Sequence, residues 1–233
     1  MDESVSGGPA RAADGHAHVS SEGAARWLSV HDDLLRGLTH TLSNRVGTIA
    51  AAAYLVEAQP GAVASVAATL RAESEQLEQV LQLLRLLPRR ADASAEPVIP
   101  TDVVAQAMAV HAHHADLPRL PVTVTLEGDV QPAYADPASL AMAIAVVLGT
   151  AQRAVGRDGT VELVLSSSTE AVRMAARGLR ADGAAGVVDA DAHLDAAAVS
   201  WLLAASGGHG SVDDAGASVF VPTLQAIRRQ QRS

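Results

Sequence analysis

His40 is the residue of this sequence whose type and surroundings are best suited to chemistry. On a helical reading of residues 23–59 it follows Leu38 by two positions, so it points away from the apolar stripe and into solvent. An imidazole is a good nucleophile in its neutral form, which predominates at pH 7. Arg36 precedes it by one turn and could hold a phosphoryl group by charge-assisted hydrogen bonds, while Asn44 follows by one turn. The pattern indicates an exposed nucleophilic histidine.

Three further histidines, His111, His113 and His114, form an H-x-H-H cluster near a predicted helix end. His111 and His114 share a helix face, which is compatible with a metal ion, but Asp116 is the only carboxylate placed at a ligand spacing. We therefore expect no metal site. The sequence also has no P-loop, no G-x-S-x-G elbow and no G-x-G-x-x-G after a strand.

Two long amphipathic helices must position His40. Apolar residues recur at spacings of three, four or seven from residue 23 onward, Gln59-Pro60-Gly61 breaks the pattern, and a second stripe runs from Val63 to Leu87. The sequence thus predicts an antiparallel helical hairpin over residues 23–90. The apolar stripe of its first helix is predicted to consist of Leu28, Leu35, Leu38, Leu42, Val46, Ile49, Ala53 and Val56.

A hairpin alone leaves much of its apolar surface in water. Pairing with a second copy into a four-helix bundle would cover that surface, so we expect a homodimer. Packing of the hairpin against the rest of its own chain is the alternative.

The rest of the chain alternates between helical and extended patterns. Residues 1–22 are predicted to be a disordered tail, 91–100 a linker, and 101–228 an α/β sandwich with its helices on one face of a mixed sheet. The fold class is therefore α+β. Predicted elements are helices at 101–114, 136–155 and 195–206, strands at 122–126, 160–166, 171–176 and 218–222, and a last helical turn at 224–229.

Composition narrows the classes of function. The 233 residues include 17 Lys plus Arg, all of them arginine, against 26 Asp plus Glu, so the net charge of −9 argues against nucleic acid as a partner. Cysteine is absent, which excludes disulfides and thiol catalysis. We expect no membrane span and no secretory signal, and hence a cytoplasmic protein.

The segment Gly37–Ile49, G-L-T-H-T-L-S-N-R-V-G-T-I, resembles the phosphoacceptor motif of two-component sensor histidine kinases. In that family a histidine on the first hairpin helix is followed four residues later by Asn or Thr, and His40 and Asn44 match these positions. Residues 135–151, 195–210 and 217–224 resemble the nucleotide helix, the closing helix with its glycine turn, and the last strand of the family's ATP-binding domain.

The chain departs from this family at the residues that handle ATP. Val146 and Thr150 stand where the nucleotide helix has asparagines, and residues 172–178 carry no acid in register with an Asp-x-Gly-x-Gly loop. Thr41 follows His40, where autokinases have Asp or Glu. Without these groups a nucleotide would lack its metal ligand and its adenine contact.

A chain that has the phosphoacceptor histidine but a degenerate ATP-binding domain resembles the histidine phosphotransferases of the ChpT-like type. The resemblance implies that His40 relays a phosphoryl group between aspartates of response-regulator receiver domains, that autophosphorylation is absent, and that this chain binds no cofactor because the receiver supplies Mg²⁺. A receiver would dock on the surface around His40, where small glycines allow close approach. The expected docking residues are Gly37, Thr41, Arg45, Gly47 and Thr48.

Two other functions are compatible with the same residues. A dimeric pseudokinase-like scaffold would bind a response regulator without phosphoryl transfer, and His40 would then be an ordinary surface residue. A receiver phosphatase would use the Asn44 amide to position a water molecule.

Overall fold

The computed structural model describes residues 10–59, 61, 63–85 and 94–232, with side chains from residue 21 onward except that of Ser65. The chain forms six α-helices and seven β-strands within these ranges. The helices are α1 (Ala10–Ala58), α2 (Val63–Arg85), α3 (Pro100–His111), α4 (Pro137–Val155), α5 (Ala192–Leu203) and α6 (Leu224–Gln230). The strands are β1 (Glu96–Val98), β2 (Val122–Glu127), β3 (Ala133–Ala135), β4 (Thr160–Ser167), β5 (Ala171–Leu179), β6 (His209–Asp213) and β7 (Gly216–Pro222).

Helix α1 begins at Ala10, well before the predicted start at residue 23. Residues 10–22, which the sequence analysis assigned to a disordered tail, are helical, in keeping with their alanine content and its high helix propensity. Residues 1–9 and most of the predicted boundary around residue 90 lie outside the described residues. The proposed domain limits therefore remain predictions.

The buried face of α1 differs from the predicted stripe. Trp27, Val30, Leu34 and Leu38 are buried, whereas Leu28 is 59% exposed and Val46 is 52% exposed. The N-terminal half of α1 packs on α5 through Gly23 and Arg26, and its later half contacts α2 through Arg45. The predicted stripe is therefore correct only in part, because Leu38 is buried and four other members are half-buried, namely Leu35, Leu42, Ile49 and Val56.

Close packing of α1 on α5 depends on Gly23. A Cβ at this position would overlap the carbonyl group of Ala197 in α5. Next to this contact, Trp27 packs its ring edge against His31, with 5.5 Å between the ring centroids. The hairpin therefore packs partly on the rest of its own chain, as the alternative expectation had it.

The second part of the chain is a sandwich of helices on a five-stranded sheet. The strand order is β2-β4-β5-β7-β6, with β2 and β4 parallel and the other pairs antiparallel. A two-stranded sheet pairs β1 with β3, and β1 lies within the predicted linker. The sequence analysis missed β1, β3 and β6, because three to five residues carry too short a pattern to read. The α+β class, with a helical hairpin before the sandwich, is confirmed.

Helix α4 is the centre of the core. Asp136 caps it, its carboxylate accepting a hydrogen bond from the Ser139 backbone N–H at 2.7 Å, and Pro137 is the first helical residue. Among the described residues, α4 is the one helix with the length and apolarity of a membrane span, and 78% of its apolar window is buried inside the protein. Its apolarity therefore matches its place between the sheet and the other helices.

Candidate functional site

His40 lies on an exposed turn of α1, between the half that packs on α5 and the half that pairs with α2. Its Nδ1 is 3.3 Å from the Asn44 amide nitrogen one turn later. Within the described part of the chain, no other hydrogen bond to the ring is present. The outward Nε2 is therefore open to a reactant.

The contact with the Asn44 amide is compatible with either tautomer of the His40 ring. With the amide nitrogen facing the ring, its N–H donates to an unprotonated Nδ1, and the proton lies on Nε2. A half-turn of the amide presents its oxygen instead, which accepts from Nδ1–H and leaves the lone pair on Nε2. The second arrangement has the nucleophilic nitrogen facing outward.

A cleft of about 430 Å³ opens beside His40. One wall is α1, and the other is the loop that connects α3 to β2, here called the 112–119 loop. The predicted helix 101–114 ends at His111, so His113 and His114 belong to this loop and not to a helix face. The cleft is lined by Arg36, Gly37, His40 and Thr41 on α1 and by Ala112, His113, His114, Ala115, Asp116, Leu117 and Arg119 on the loop.

Arg36 lies in the cleft but is held by carboxylates. Its Nη2 pairs with Asp33 one turn earlier and, at 3.1 Å, with Asp116 across the cleft. The Arg36 side chain is 59% exposed, so these ion pairs contribute little to stability. They nevertheless offset the positive charge of Arg36, which the sequence analysis expected to hold a phosphoryl group.

Gly37 and Thr41, two of the residues expected to dock a receiver, contact the 112–119 loop of the same chain. A Cβ at Gly37 would overlap the His113 carbonyl oxygen, so the 112–119 loop occupies the space that the glycine leaves open. The Thr41 hydroxyl donates to the Gly37 carbonyl at 3.0 Å and lies 3.2 Å from His113 Nδ1. Both residues therefore join α1 to the sandwich, because the 112–119 loop approaches α1 closely at Gly37.

The remaining expected docking residues lie along α1 after His40. Arg45 reaches α2, where its Nη1 is 3.1 Å from a carboxylate oxygen of Glu73, so it holds the hairpin together. A Cβ added at Gly47 would meet no atom within 4 Å, and Thr48 is exposed, with its hydroxyl donating to the Asn44 carbonyl at 3.1 Å. Gly47 and Thr48 thus remain accessible to a partner.

The H-x-H-H cluster divides between the core and the cleft. His111 is buried, and burial lowers its pKa to about 4. Gln152 lies near its ring, but neither ring nitrogen has a hydrogen bond of normal geometry. Burial also lowers the pKa values of His113 and His114, and Arg119 is the next largest cause for His113. Across the described residues, no three His, Asp or Glu side chains are placed to hold a metal ion.

Val146 and Thr150, at the positions that resemble the family's asparagines, are 2% and 1% exposed. The Thr150 hydroxyl donates to Asp195 of α5 at 2.7 Å. The same buried carboxylate accepts from Arg26 of α1 at 2.7 Å and pairs with Arg153. Burial would lower the pKa of Arg153, but Asp195 and Asp189 raise it overall. Neither Val146 nor Thr150 fits the part of a nucleotide or metal ligand, because the Thr150 hydroxyl is used in this internal network and the Val146 side chain has no polar atom.

The sequence analysis missed the contribution of the 112–119 loop to the surroundings of His40. The available signal was a run of histidines that is followed by Asp116, Pro118 and Arg119. The proline ends a helix, and the aspartate and the arginine supply charge. Nothing in that run shows that it lies against α1, some 75 residues earlier.

No family model matches this chain, and no curated protein matches it. Among solved structures it is similar to full-length ShkA in complex with AMPPNP, with 19% identity and a TM-score of 0.40 over 82% of this chain and 45% of that one. It is similar to a bacterial phosphotransferase, with 17% identity and a TM-score of 0.40 over 84% of this chain and 96% of that one. It is also similar to histidine kinase ThkA in complex with response regulator protein TrrA, with 11% identity and a TM-score of 0.40 over 85% and 63%. The chain thus spans less than half the length of ShkA, and similarity at this level does not extend to activity.

Proposed function

We propose that this protein is a histidine phosphotransferase that accepts a phosphoryl group on His40 from the aspartyl phosphate of a response-regulator receiver domain and passes it to another receiver. The observation that carries the proposal is the environment of His40. Its ring is exposed, its Nδ1 is engaged by Asn44, and its Nε2 faces outward without a partner among the described residues.

The transfer step uses groups on both proteins. With the Asn44 amide turned so that its oxygen accepts from Nδ1–H, the Nε2 lone pair of His40 attacks phosphorus in line with the bond to the receiver's aspartate. That P–O bond breaks, its electron pair leaves with the carboxylate, and the ring loses its Nδ1 proton to solvent. The reverse sequence delivers the phosphoryl group to a second receiver, and the receiver's own Mg²⁺ neutralises charge in both directions.

The buried ion-pair network supports a reaction without ATP. Thr150 is hydrogen-bonded to Asp195, whose carboxylate is also bound by Arg26 and Arg153. A nucleotide at this place would have to break a buried ion pair, which typically costs about 3–5 kcal/mol. We therefore expect no autophosphorylation and no cofactor on this chain.

The surface after His40 supports docking of a receiver domain. Ser43, Asn44, Gly47 and Thr48 are exposed and uncharged. Small side chains allow a partner helix to approach α1 closely, and the absence of charge avoids a desolvation penalty. We expect this action in the cytoplasm, as a homodimer.

The test is transfer of radiolabel from phosphorylated receiver domains of the same organism, without ATP. We expect acid-labile, base-stable label on the wild-type chain and none on His40→Ala. His193→Ala, the same substitution at an exposed histidine outside the docking surface, is the matched control that keeps the label. ATP and Mg²⁺ alone should give no label.

Three outcomes would contradict the relay. Receiver binding without label, unchanged by His40→Ala, would identify a scaffold. Faster loss of receiver phosphate without label on this chain, abolished by Asn44→Ala, would identify a phosphatase. Label from ATP alone would identify an autokinase.

A further inference from the structure

Two arginines line the cleft beside His40. Arg36 comes from α1 and Arg119 from the 112–119 loop. Arg119 is exposed and adjacent to His113, whose Nδ1 is 3.2 Å from the hydroxyl of Thr41, the residue after His40. The 112–119 loop thus contributes an arginine to the lining of the cleft that also contains His40.

The two arginines differ in what they bind. Arg36 is paired with Asp33 and with Asp116. For Arg119 no hydrogen bond or ion pair is present within the described ranges, so its five N–H donors face solvent or the cleft. Phosphoryl oxygens are bound most effectively by a guanidinium whose donors are not already committed to carboxylates.

The other groups of the cleft do not substitute for Arg119. His113 and His114 are mainly neutral at pH 7, because burial lowers their pKa values. Asp116 is 60% exposed and carries a negative charge that Arg36 offsets. Of the two arginines that line the cleft, the one without a carboxylate partner among the described residues therefore lies on the 112–119 loop and not on α1.

We propose that Arg119, and not Arg36, binds the oxygens of the phosphoryl group that His40 accepts, so that the 112–119 loop forms half of an anion site completed by α1. This inference rests on the proposed function in taking His40 as the acceptor. It assigns the sandwich a direct part in the reaction, whereas the resemblance alone assigns that part of the chain to docking.

The test uses phosphoramidate, a small phosphoryl donor that needs no receiver. His40 Nε2 attacks phosphorus, the P–N bond of the reagent breaks, and the amine takes up the proton that the imidazole loses and leaves as ammonia. The initial rate of acid-labile labelling is measured against phosphoramidate concentration for the wild type and for Arg119→Gln, Arg119→Lys, Arg36→Gln and Arg157→Gln. Arg157 is the matched control, an exposed arginine that does not line the cleft.

For Arg119→Gln we expect an apparent KM raised about tenfold, as for the loss of a hydrogen bond to a charged group. Arg119→Lys should recover part of that loss, because it keeps the charge without the planar fork. Arg36→Gln and Arg157→Gln should stay within about twofold of the wild type. Equal KM values for Arg119→Gln and Arg157→Gln, or a larger loss in Arg36→Gln, would overturn the inference.

A second measurement separates this inference from the relay. Inorganic phosphate is titrated into the same proteins, and the imidazole proton shifts of His40 and His113 are followed by NMR. Shifts that disappear in Arg119→Gln support the anion site even if no receiver labels His40, in which case the relay alone fails. Absence of phosphate-dependent shifts in the wild type, or shifts that persist unchanged in Arg119→Gln, would refute the site whatever the receivers do.

Discussion

At the scale of single residues, the reactivity proposed for His40 involves one weak contact, with the Asn44 amide. The Asn44 amide holds Nδ1 at 3.3 Å on an exposed helix face, where the imidazole would otherwise rotate freely. The contact is modest in energy, but it orients the ring. We therefore expect it to affect the rate of the proposed phosphorylation more than the stability of the fold.

Asn44→Ala is expected to slow phosphorylation of His40 by phosphoramidate by about threefold to tenfold, which corresponds to the typical net value of one hydrogen bond. Thr48→Ala, one turn further along α1, should leave the rate unchanged. Rates are compared by quench and acid-labile counting. An Asn44→Ala rate equal to the wild-type rate would show that the amide does not orient the ring.

His111 is the buried histidine whose protonation should appear in the pH dependence of stability. Its pKa is about 4 in the folded chain, because burial disfavours the cation, and Arg153 and His114 are the charged or titratable groups around it. Above about pH 6.5 the ring is neutral in both states. As the pH falls from there, the unfolded chain takes up the proton first, so the free energy of unfolding decreases until about pH 4.

Between about pH 6.5 and pH 4, protonation of His111 should lower the free energy of unfolding by about 3 kcal/mol. His111→Leu removes the titrating group, and since neither ring nitrogen has a partner, it should not destabilise the protein at pH 7. Urea unfolding at pH 7, 6, 5 and 4 gives the free energy of unfolding of the wild type and of His111→Leu. A wild-type profile no steeper than that of His111→Leu would contradict the assignment.

At the scale of elements, α1 belongs to both parts of the molecule. Its N-terminal half packs on α5 through Gly23 and the Arg26–Asp195 ion pair, and its later half pairs with α2 through Arg45 and Glu73. Gly37 lies where α1 meets the 112–119 loop. The place of His40 relative to the sandwich is therefore set by helix packing.

Gly37→Ala should destabilise the protein by about 1–3 kcal/mol, because the added methyl group would overlap the His113 carbonyl. Gly47→Ala is the same substitution on the same helix, ten residues later. It meets no neighbour within 4 Å and should stabilise the protein by about 0.5–1 kcal/mol through helix propensity. Denaturant midpoints of the two variants would move in opposite directions, and a shift of the same sign in both would refute the contact.

At the scale of the whole molecule, the hairpin carries much of the uncovered apolar surface. Six of the eleven large hydrophobic side chains that are exposed among the described residues lie on α1 or α2, so this is the surface a second copy would cover. They are Leu28, Val46, Tyr54, Leu55, Val63 and Leu81.

We expect light scattering to give a mass of about 48 kDa, twice the 23.9 kDa of one chain. Val46→Glu places a charge on this surface and should shift the protein toward the monomer mass. Val187→Glu is the control, since Val187 is 72% exposed but lies on a loop of the sandwich. A monomeric wild type, or a Val46→Glu protein that remains fully dimeric, would exclude the hairpin as the dimer interface.

Local features of the fold could be read from the sequence. The caps of α4, the apolar periodicities of α1 and α2, and the exposure of His40 and Asn44 all depend on residues within a few turns of each other. Hydrophobic spacing and capping chemistry act over that distance, so the α+β class and the order of hairpin and sandwich followed from them.

Contacts between distant segments were decided only by the tertiary structure. That Gly37 faces the His113 carbonyl, that Arg119 lines the His40 cleft, and that Asp195 binds Arg26 depend on how α1 packs across α5 and the 112–119 loop. The partners in these contacts are about 75 to 170 residues apart in sequence, and no local pattern encodes which side chains of α1 the sandwich covers. The sequence determined that His40 lies on the exposed side of a long helix, and the packing of that helix decided which residues of the 112–119 loop line the cleft beside it.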